Sequence, residues 1–198
     1  KMYHIPQISE NVYWVGVKDW NRRLFDSLIP LPKGTSYNAY LVKGDERVAL
    51  IDTVNPGFEK VLAQKIGQIM DPKKVDYIVM NHAEPDHAGS IPYMMALSDH
   101  AKLVATAKGA EMAERFYNTP RNRIIEVADG STISLGGKEL TFIEAPMLHW
   151  PETMFTYLTS DNVLFPCDFF GAHTAEGFYA TDVEDSHIQA QKYFGEIM

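Results

Sequence analysis

Four potential metal ligands fall within six consecutive positions, where residues 82 to 87 read His-Ala-Glu-Pro-Asp-His. Two carboxylates crowded beside two imidazoles repel each other and are driven toward protonation, and a divalent or trivalent cation removes both costs. The cluster therefore points to a metal site rather than to a solvated loop. Side chains alternate along an extended segment, so His82, Glu84 and Asp86 are expected on one side, with His87 turned toward a second centre. That spacing suits two adjacent metals. His149, just past ELTFIEA, and Asp168, at the end of NVLFPC, occupy the same kind of position, since sites in layered α/β proteins collect at the carboxyl ends of strands. Either residue alone reads as surface or satisfied core. Glu84, Asp86 and Asp168 make the set hard and oxygen-rich, which favours iron over zinc, with manganese and zinc as other occupants.

The elements that must hold these ligands are legible around them. DYIVM at 76 to 80 is an almost unbroken apolar run, the pattern of a strand buried on both faces, and it ends abruptly at Asn81-His82. Before it, VYWVGV (12 to 17), NAYLVK (38 to 43) and RVALID (47 to 52) read as strands, the last two joined by a GDE turn. Apolar residues at 58, 61, 62, 66, 69 and 70 predict a helix closed by Asp71-Pro72. The second half predicts helices around 89 to 97, from Lys108 to Tyr117 and from near Asp185. It predicts strands at KLVAT, RIIEV, ELTFIEA, TMFTYL and NVLFPC. With no fixed-period repeat, low-complexity tract or flexible linker, one compact layered α/β unit is the economical reading.

Composition narrows the classes of function. The 198 residues carry 18 Lys and Arg against 26 Asp and Glu, a net charge of −8, which argues against nucleic acid or an anionic membrane as partner. No window is long and apolar enough for a membrane-spanning helix, and the N-terminus lacks signal-peptide features. The single Cys167 excludes an internal disulfide and a Cys-type zinc site and suits a reducing, cytoplasmic setting.

The run NHAEPDHAGS, together with EAPMLHWPETMFTY, LFPCDFFGAH, GTSYNAYLV and VYWVGVKDWNRRLF, resembles the flavodiiron proteins, also called A-type flavoproteins, over essentially the whole chain. Ordinary zinc members of the metallo-β-lactamase superfamily have His where this loop has Glu84. The resemblance implies that residues 1–198 form a metallo-β-lactamase-like αββα sandwich with a non-haem diiron centre. Such a centre reduces dioxygen to water, nitric oxide to nitrous oxide, or both. Carried over by position, His82, Glu84 and His149 bind one iron and Asp86, His87 and Asp168 the other, with Asp168 as the bridge. His87 coordinates in some members and stands off the metal in others. His173, in GAH, is implied as a pocket residue able to donate a hydrogen bond near bound dioxygen or nitric oxide. The resemblance further implies FMN in a flavodoxin-like domain, an electron donor such as rubredoxin or another reductase, and a head-to-tail homodimer.

Three departures accompany it. The family supplies a further His ligand to the second iron from a Ser-His-Gly-like segment expected beyond Met198, and its flavodoxin-like domain is expected downstream as well. On this reading the domain is C-terminally incomplete and its second iron position is weakened. Asp26, in LFDSL, stands where many members carry a His facing the pocket.

Other residues take blander readings. Trp14, Trp20 and Trp150 read as core or interface aromatics rather than flavin contacts. His4, His100 and His187 read as solvated, and Cys167 as a buried inert thiol. From another class, a binuclear metallohydrolase could use the same cavity to activate a bridging water, and Glu84 is the feature that discriminates against it. A third reading is a remnant whose metal serves only to hold the fold.

Overall fold

The computed structural model describes residues 2–198. The apolar runs fold into two sheets. The larger has seven strands, ordered edge to edge Gln7–Ser9, Val12–Trp14, Tyr40–Lys43, Val48–Ile51, Tyr77–Val79, Lys102–Thr106 and Ile124–Val127. Its strands are antiparallel as far as Val48–Ile51 and parallel from there on. The smaller sheet is an antiparallel series of Thr132–Ser134, Glu139–Glu144, Met154–Leu158 and Val163–Phe165.

Consecutive residues of a strand point to opposite faces, so a strand covered on both sides must be apolar throughout. Leu41, Leu50, Ile78 and Leu103 face one way and pack with Leu62 and Ile66 of helix Glu59–Gly67, Met94 and Met95 of helix Ile91–Leu97, and Ala113 of helix Ala107–Tyr117. Their neighbours Val42, Ile51, Val79 and Val104 face the other way, closing on Leu140, Phe142, Met154 and Leu158 of the smaller sheet. The result is the expected metallo-β-lactamase-like αββα arrangement of the α/β class.

Local chemistry sets the element ends. Thr106 caps helix Ala107–Tyr117 by accepting from Gly109 N at 3.0 Å, and Asn118 stops it in the left-handed region at φ 51°. The helix expected to reach Met70 ends at Gly67, and the Asp71 carboxylate then caps a 3₁₀ turn at Pro72–Lys74. The run VYWVGV is two strands, Val12–Trp14 and Val17–Asp19, rather than one. A Cβ on Gly16 would stand 2.1 Å from the Tyr37 carbonyl oxygen, so the chain turns where only glycine permits that approach.

The ligand loop also departs from expectation. Residues 82 to 87 are not extended throughout, because Pro85–Ala88 forms a short helix that begins after Glu84. Proline suits a first helical position, where its missing N–H goes unneeded. Asp86 and His87 are thus presented from a helical turn and not by strand alternation. Among the described residues no helix is long and apolar enough to cross a membrane.

Candidate metal centre

Every ligand-bearing segment leaves the end of a strand. Past Tyr77–Val79, the Asn81 backbone N–H and side-chain amide donate to Asp52 at 2.8 and 3.2 Å. Asn81 Oδ1 accepts from Thr156 Oγ1 at 2.7 Å, and its carbonyl accepts from Met154 N at 2.9 Å. One residue thereby joins the two sheets immediately before the first ligand. The short helix is fixed from below, where Thr53 N and Oγ1 both donate to the His87 carbonyl at 2.6 and 2.8 Å. A Cβ on Gly89 would meet Pro56 Cδ at 2.4 Å, so this helix lies flush on the loop beneath it. Asp52, Met147 and Cys167 take positive φ values of 56°, 69° and 44° in the turns that carry the chain to its ligands. Such backbone costs about 1–3 kcal/mol per residue and persists where its surroundings enforce it.

The side chains converge in two overlapping groups. His82, Glu84, His149 and Asp168 each offer a donor atom within 4.8 Å of the others, and Asp86, His87 and Asp168 form a second such group. His149 Nε2 lies 3.3 Å from both Glu84 Oε2 and Asp168 Oδ2, while His82 Nε2 lies 3.2 and 3.4 Å from the same two oxygens. His87 Nε2 lies 2.9 Å from Asp168 Oδ1 and 3.5 Å from Asp86 Oδ2. Asp168 thus gives one oxygen to each group. The expectation that His87 turns away from Asp86 is corrected, because both come from one helical turn and belong to the same group.

Electrostatics show what this packing demands. Burial raises the Glu84 carboxyl, but contacts with His149 and His82 outweigh it and bring it down to about 2. Burial, with the neighbouring Asp168 and Glu84 charges, pushes Asp86 up to about 6 against the pull of His87. Burial lowers His149, and Asp168 and Glu84 more than reverse it, to about 9. Burial likewise opposes the charge on His87, which Asp168 and Asp86 hold well above its ordinary value. Imidazole–carboxylate contacts offset part of the charge within the cluster. Even so, among the described residues Asp86 Oδ1 and His87 Nδ1 are buried with no hydrogen-bond partner, and Asp168 Oδ2 has only the two imidazoles at 3.3 and 3.4 Å without good hydrogen-bond geometry. Buried polar atoms are rarely left unpaired. The orphaned carboxylate oxygens, with two carboxylates and two imidazoles converging in one group, are what a hard cation satisfies, so the donor set fits metal binding.

His173 belongs to neither group. Its Nδ1 lies 3.0 Å from Thr35 Oγ1, its ring packs on Phe25 and Tyr193, and its Nε2 is buried without a partner. Burial takes its pKa down to about 4, which keeps the ring neutral. It borders a cavity of about 30 Å³ shared with Thr35, Asp86, His87, Asp168 and Tyr193. A larger cavity, about 460 Å³, has none of the ligands in its lining and shares only Ser36, Asn38 and Ala172 with the small one. The ligand side chains fill their own space, so size alone marks the wrong place. Asp26 is exposed, and burial together with the Glu84 charge raises its carboxyl. His4, His100 and His187 are exposed, Cys167 is raised well above its usual range by burial, and Trp150 sets its ring edge against His82 at 5.1 Å.

Two neighbours of the cluster escaped the sequence reading. Glu152 Oε1 lies 2.7 Å from His82 Nδ1, and the Tyr193 hydroxyl donates to Asp168 Oδ1 at 2.8 Å. Glu152 stands three residues after His149 in the same HWPET run, and only its burial in the folded chain separates it from a surface acid. Tyr193 sits in the helix Ser186–Ile197 with nothing local to mark it.

The fold and this arrangement define a class. Residues 35–198 match the ODP family beta lactamase, and the chain belongs to that family. Within it the similarity is to flavodiiron proteins. The chain is 42% identical over 195 residues to a nitric oxide reductase of Moorella thermoacetica, covering 96% of this chain and 49% of that one. It is 38% identical to an anaerobic nitric oxide reductase flavorubredoxin homolog of Escherichia coli O157:H7, covering 96% and 47%. Among solved structures, the flavodiiron protein of Giardia intestinalis superposes with a TM-score of 0.93 at 34% identity, covering 100% of this chain and 48% of that one. Rubredoxin oxygen:oxidoreductase of Desulfovibrio gigas gives 0.92 at 34% identity, covering 98% and 49%. The chain spans about half the length of each of these relatives.

Proposed function

We propose that this chain is the diiron domain of an oxidoreductase that reduces nitric oxide to nitrous oxide, dioxygen to water, or both. The observation that carries the proposal is the sharing of Asp168 between two oxygen-rich donor groups in a fold whose relatives include nitric oxide reductases and an oxygen oxidoreductase. His82, Glu84 and His149 would hold one iron and Asp86 and His87 the other, with Asp168 belonging to both donor groups. Bound there, two irons supply Lewis acidity and electrons to dioxygen or nitric oxide.

The chain's own residues do the rest. The three carboxylates offset the metal charge, and Asn81, Asp52 and Thr53 fix the ligand-bearing turns. Trp150 and the closely packed imidazoles exclude water from the His82 side. His173, neutral and unpartnered at Nε2, borders the small cavity as a hydrogen-bonding group. In the whole protein, FMN in a flavodoxin-like domain would supply the electrons, with a rubredoxin-type donor reducing it and a head-to-tail homodimer bringing it to the metals. The single cysteine suits the reducing cytoplasm.

Glu84 separates this reading from hydrolysis. A carboxylate there hardens a position where imidazole suits zinc. The test begins with protein purified without added metal, measuring iron and zinc, followed by anaerobic photoreduction and timed consumption of nitric oxide and dioxygen. Iron enrichment with turnover of either gas is the expected result. Zinc alone, with hydrolysis of a thioester or lactam and no gas consumption, sinks the reductase reading. Glu84→His is expected to shift occupancy toward zinc, and unchanged iron selectivity in that variant shows that Glu84 does not choose the metal.

A further inference from the structure

Glu152 presents a puzzle that the ligand set does not solve. It is a carboxylate with a side chain fully removed from solvent, and among the described residues no Lys or Arg pairs with it. Isolated buried carboxylates are costly, so such a group is kept where a specific arrangement compensates it. A single oxygen, Oε1, takes both His82 Nδ1 at 2.7 Å and the Ala83 backbone N–H at 2.6 Å, while Oε2 is buried without a partner. The acid is itself fixed, because Thr106 Oγ1 donates to the Glu152 carbonyl at 3.0 Å from the neighbouring strand. On its other side the His82 ring sends Nε2 toward Glu84 and Asp168, which when ionised can accept but not donate. A neutral imidazole carries one ring proton. If that proton sits on Nδ1, Glu152 accepts it and Nε2 aims its lone pair into the donor group. If it sits on Nε2, Nδ1 and Glu152 Oε1 meet as two acceptors at hydrogen-bond distance.

We propose that Glu152 is a positioning residue that holds the His82 proton on Nδ1 and turns Nε2 toward the metal. This rests on the metal-centre reading above and extends it, since Glu152 touches neither metal nor substrate. A carboxylate behind a metal-bound histidine fixes the ring orientation and raises its basicity, and loss of such a partner costs roughly 10–100-fold in metal affinity. His87 offers the contrast within the same molecule, its Nδ1 being buried with no hydrogen-bond partner among the described residues. The device serves one imidazole of the short loop and not the other.

The experiment measures zinc affinity by chelator competition in the whole chain, for wild type, Glu152→Gln and Glu152→Met. Glutamine keeps an acceptor oxygen for His82 and Ala83, whereas methionine keeps only the bulk. The expected order is wild type tightest, Gln within about tenfold, and Met weaker by roughly 10–100-fold, with circular dichroism of the metal-free variants unchanged. Met binding as tightly as wild type overturns the proposal, as does Gln falling as far as Met, because then the acceptor is not what matters. Should Met fail to fold, nitrogen-15 spectra of the zinc-loaded wild type decide. A His82 ring proton on Nδ1 supports the role, and one on Nε2 ends it. Zinc affinity and tautomer are read without turnover, so a protein that shows both but consumes neither gas loses the reductase reading and keeps Glu152. Equal zinc affinity in all three forms, with either gas consumed, does the reverse.

Discussion

His82 and His87 lie five residues apart on one short segment, yet their surroundings differ in kind. His82 emerges from a strand end and is gripped at both nitrogens, by Glu152 on one side and by Glu84 and Asp168 on the other. His87 comes from a helical turn, with Nε2 against Asp168 and Asp86 and no hydrogen-bond partner at Nδ1 among the described residues. His82 directly follows Asn81, whose backbone and side chain are tied to both sheets, whereas the helical turn of His87 is held by Thr53, by Ser90 on the Val54 carbonyl and by the fit of Gly89 on Pro56. The difference teaches that ligands adjacent in sequence need not be equally organised, and that the first donor group is the better prepared of the two.

The most severe way to break the comparison is to remove what both groups share. Asp168→Ala should empty both positions, weakening binding by more than the roughly 100-fold that loss of an outer hydrogen bond costs. Metal analysis after dialysis checks it, and one retained equivalent shows that Asp168 serves a single group. Next comes removal of the cation itself. Occupancy at a hundred times the dissociation constant adds about 2.7 kcal/mol, which for a domain of this size corresponds to a rise of roughly 5–10 °C in Tm. Calorimetry with and without exhaustive chelation measures the shift, and coincident transitions mean that the cluster binds nothing.

A finer cut separates the groups. His149→Ala should strip mainly the better organised position, while His87→Ala should leave it filled and reduce only the other. Titration of metal into each variant, counting tight and weak equivalents, shows whether the two losses are distinct. The smallest effect lies outside both groups and serves as a control on them. Lys65 is buried, its ammonium donating to the Gly16 carbonyl and lying 4.3 Å from the Trp14 ring. Burial, then the nearby Lys18 charge, lowers its pKa from 10.5 to about 8. Between about 8 and 10.5 the unfolded chain keeps a proton that the folded chain has released, so stability should rise with pH across that window. Lys65→Met should flatten this rise without altering metal content, as Tm measured from pH 8 to 10.5 reports.

Much of this was written in the sequence because the physics was local. The pairs Leu41–Val42, Leu50–Ile51, Ile78–Val79 and Leu103–Val104 must be apolar on both faces, and unbroken runs betray them. The His-Ala-Glu-Pro-Asp-His run was legible for the same reason, since its charge density makes little sense without a cation. The breaks came from contacts between distant segments. Gly16 splits a strand because Tyr37 crowds it, and only the folded chain brings Tyr37 there. The helical turn at Pro85 was signalled by the proline, but strand alternation offered a competing account of the same ligands. Tyr193 reaches Asp168 from a helix whose sequence shows only amphipathic spacing. Glu152 left a trace in HWPET that spacing alone could not distinguish from a surface acid.

The joint at Asn81 has a consequence in time rather than in geometry. His82, Glu84, Asp86 and His87 follow the larger sheet and His149 and Asp168 the smaller, so a bound cation would join Asn81 and Glu152 in clasping the two sheets at this end. A cation held in such a clasp would be released faster whenever the sheets part. Its residence then shortens as local opening of the sandwich becomes more frequent, which ties metal exchange to the slow motions of the chain and makes it a clock for them.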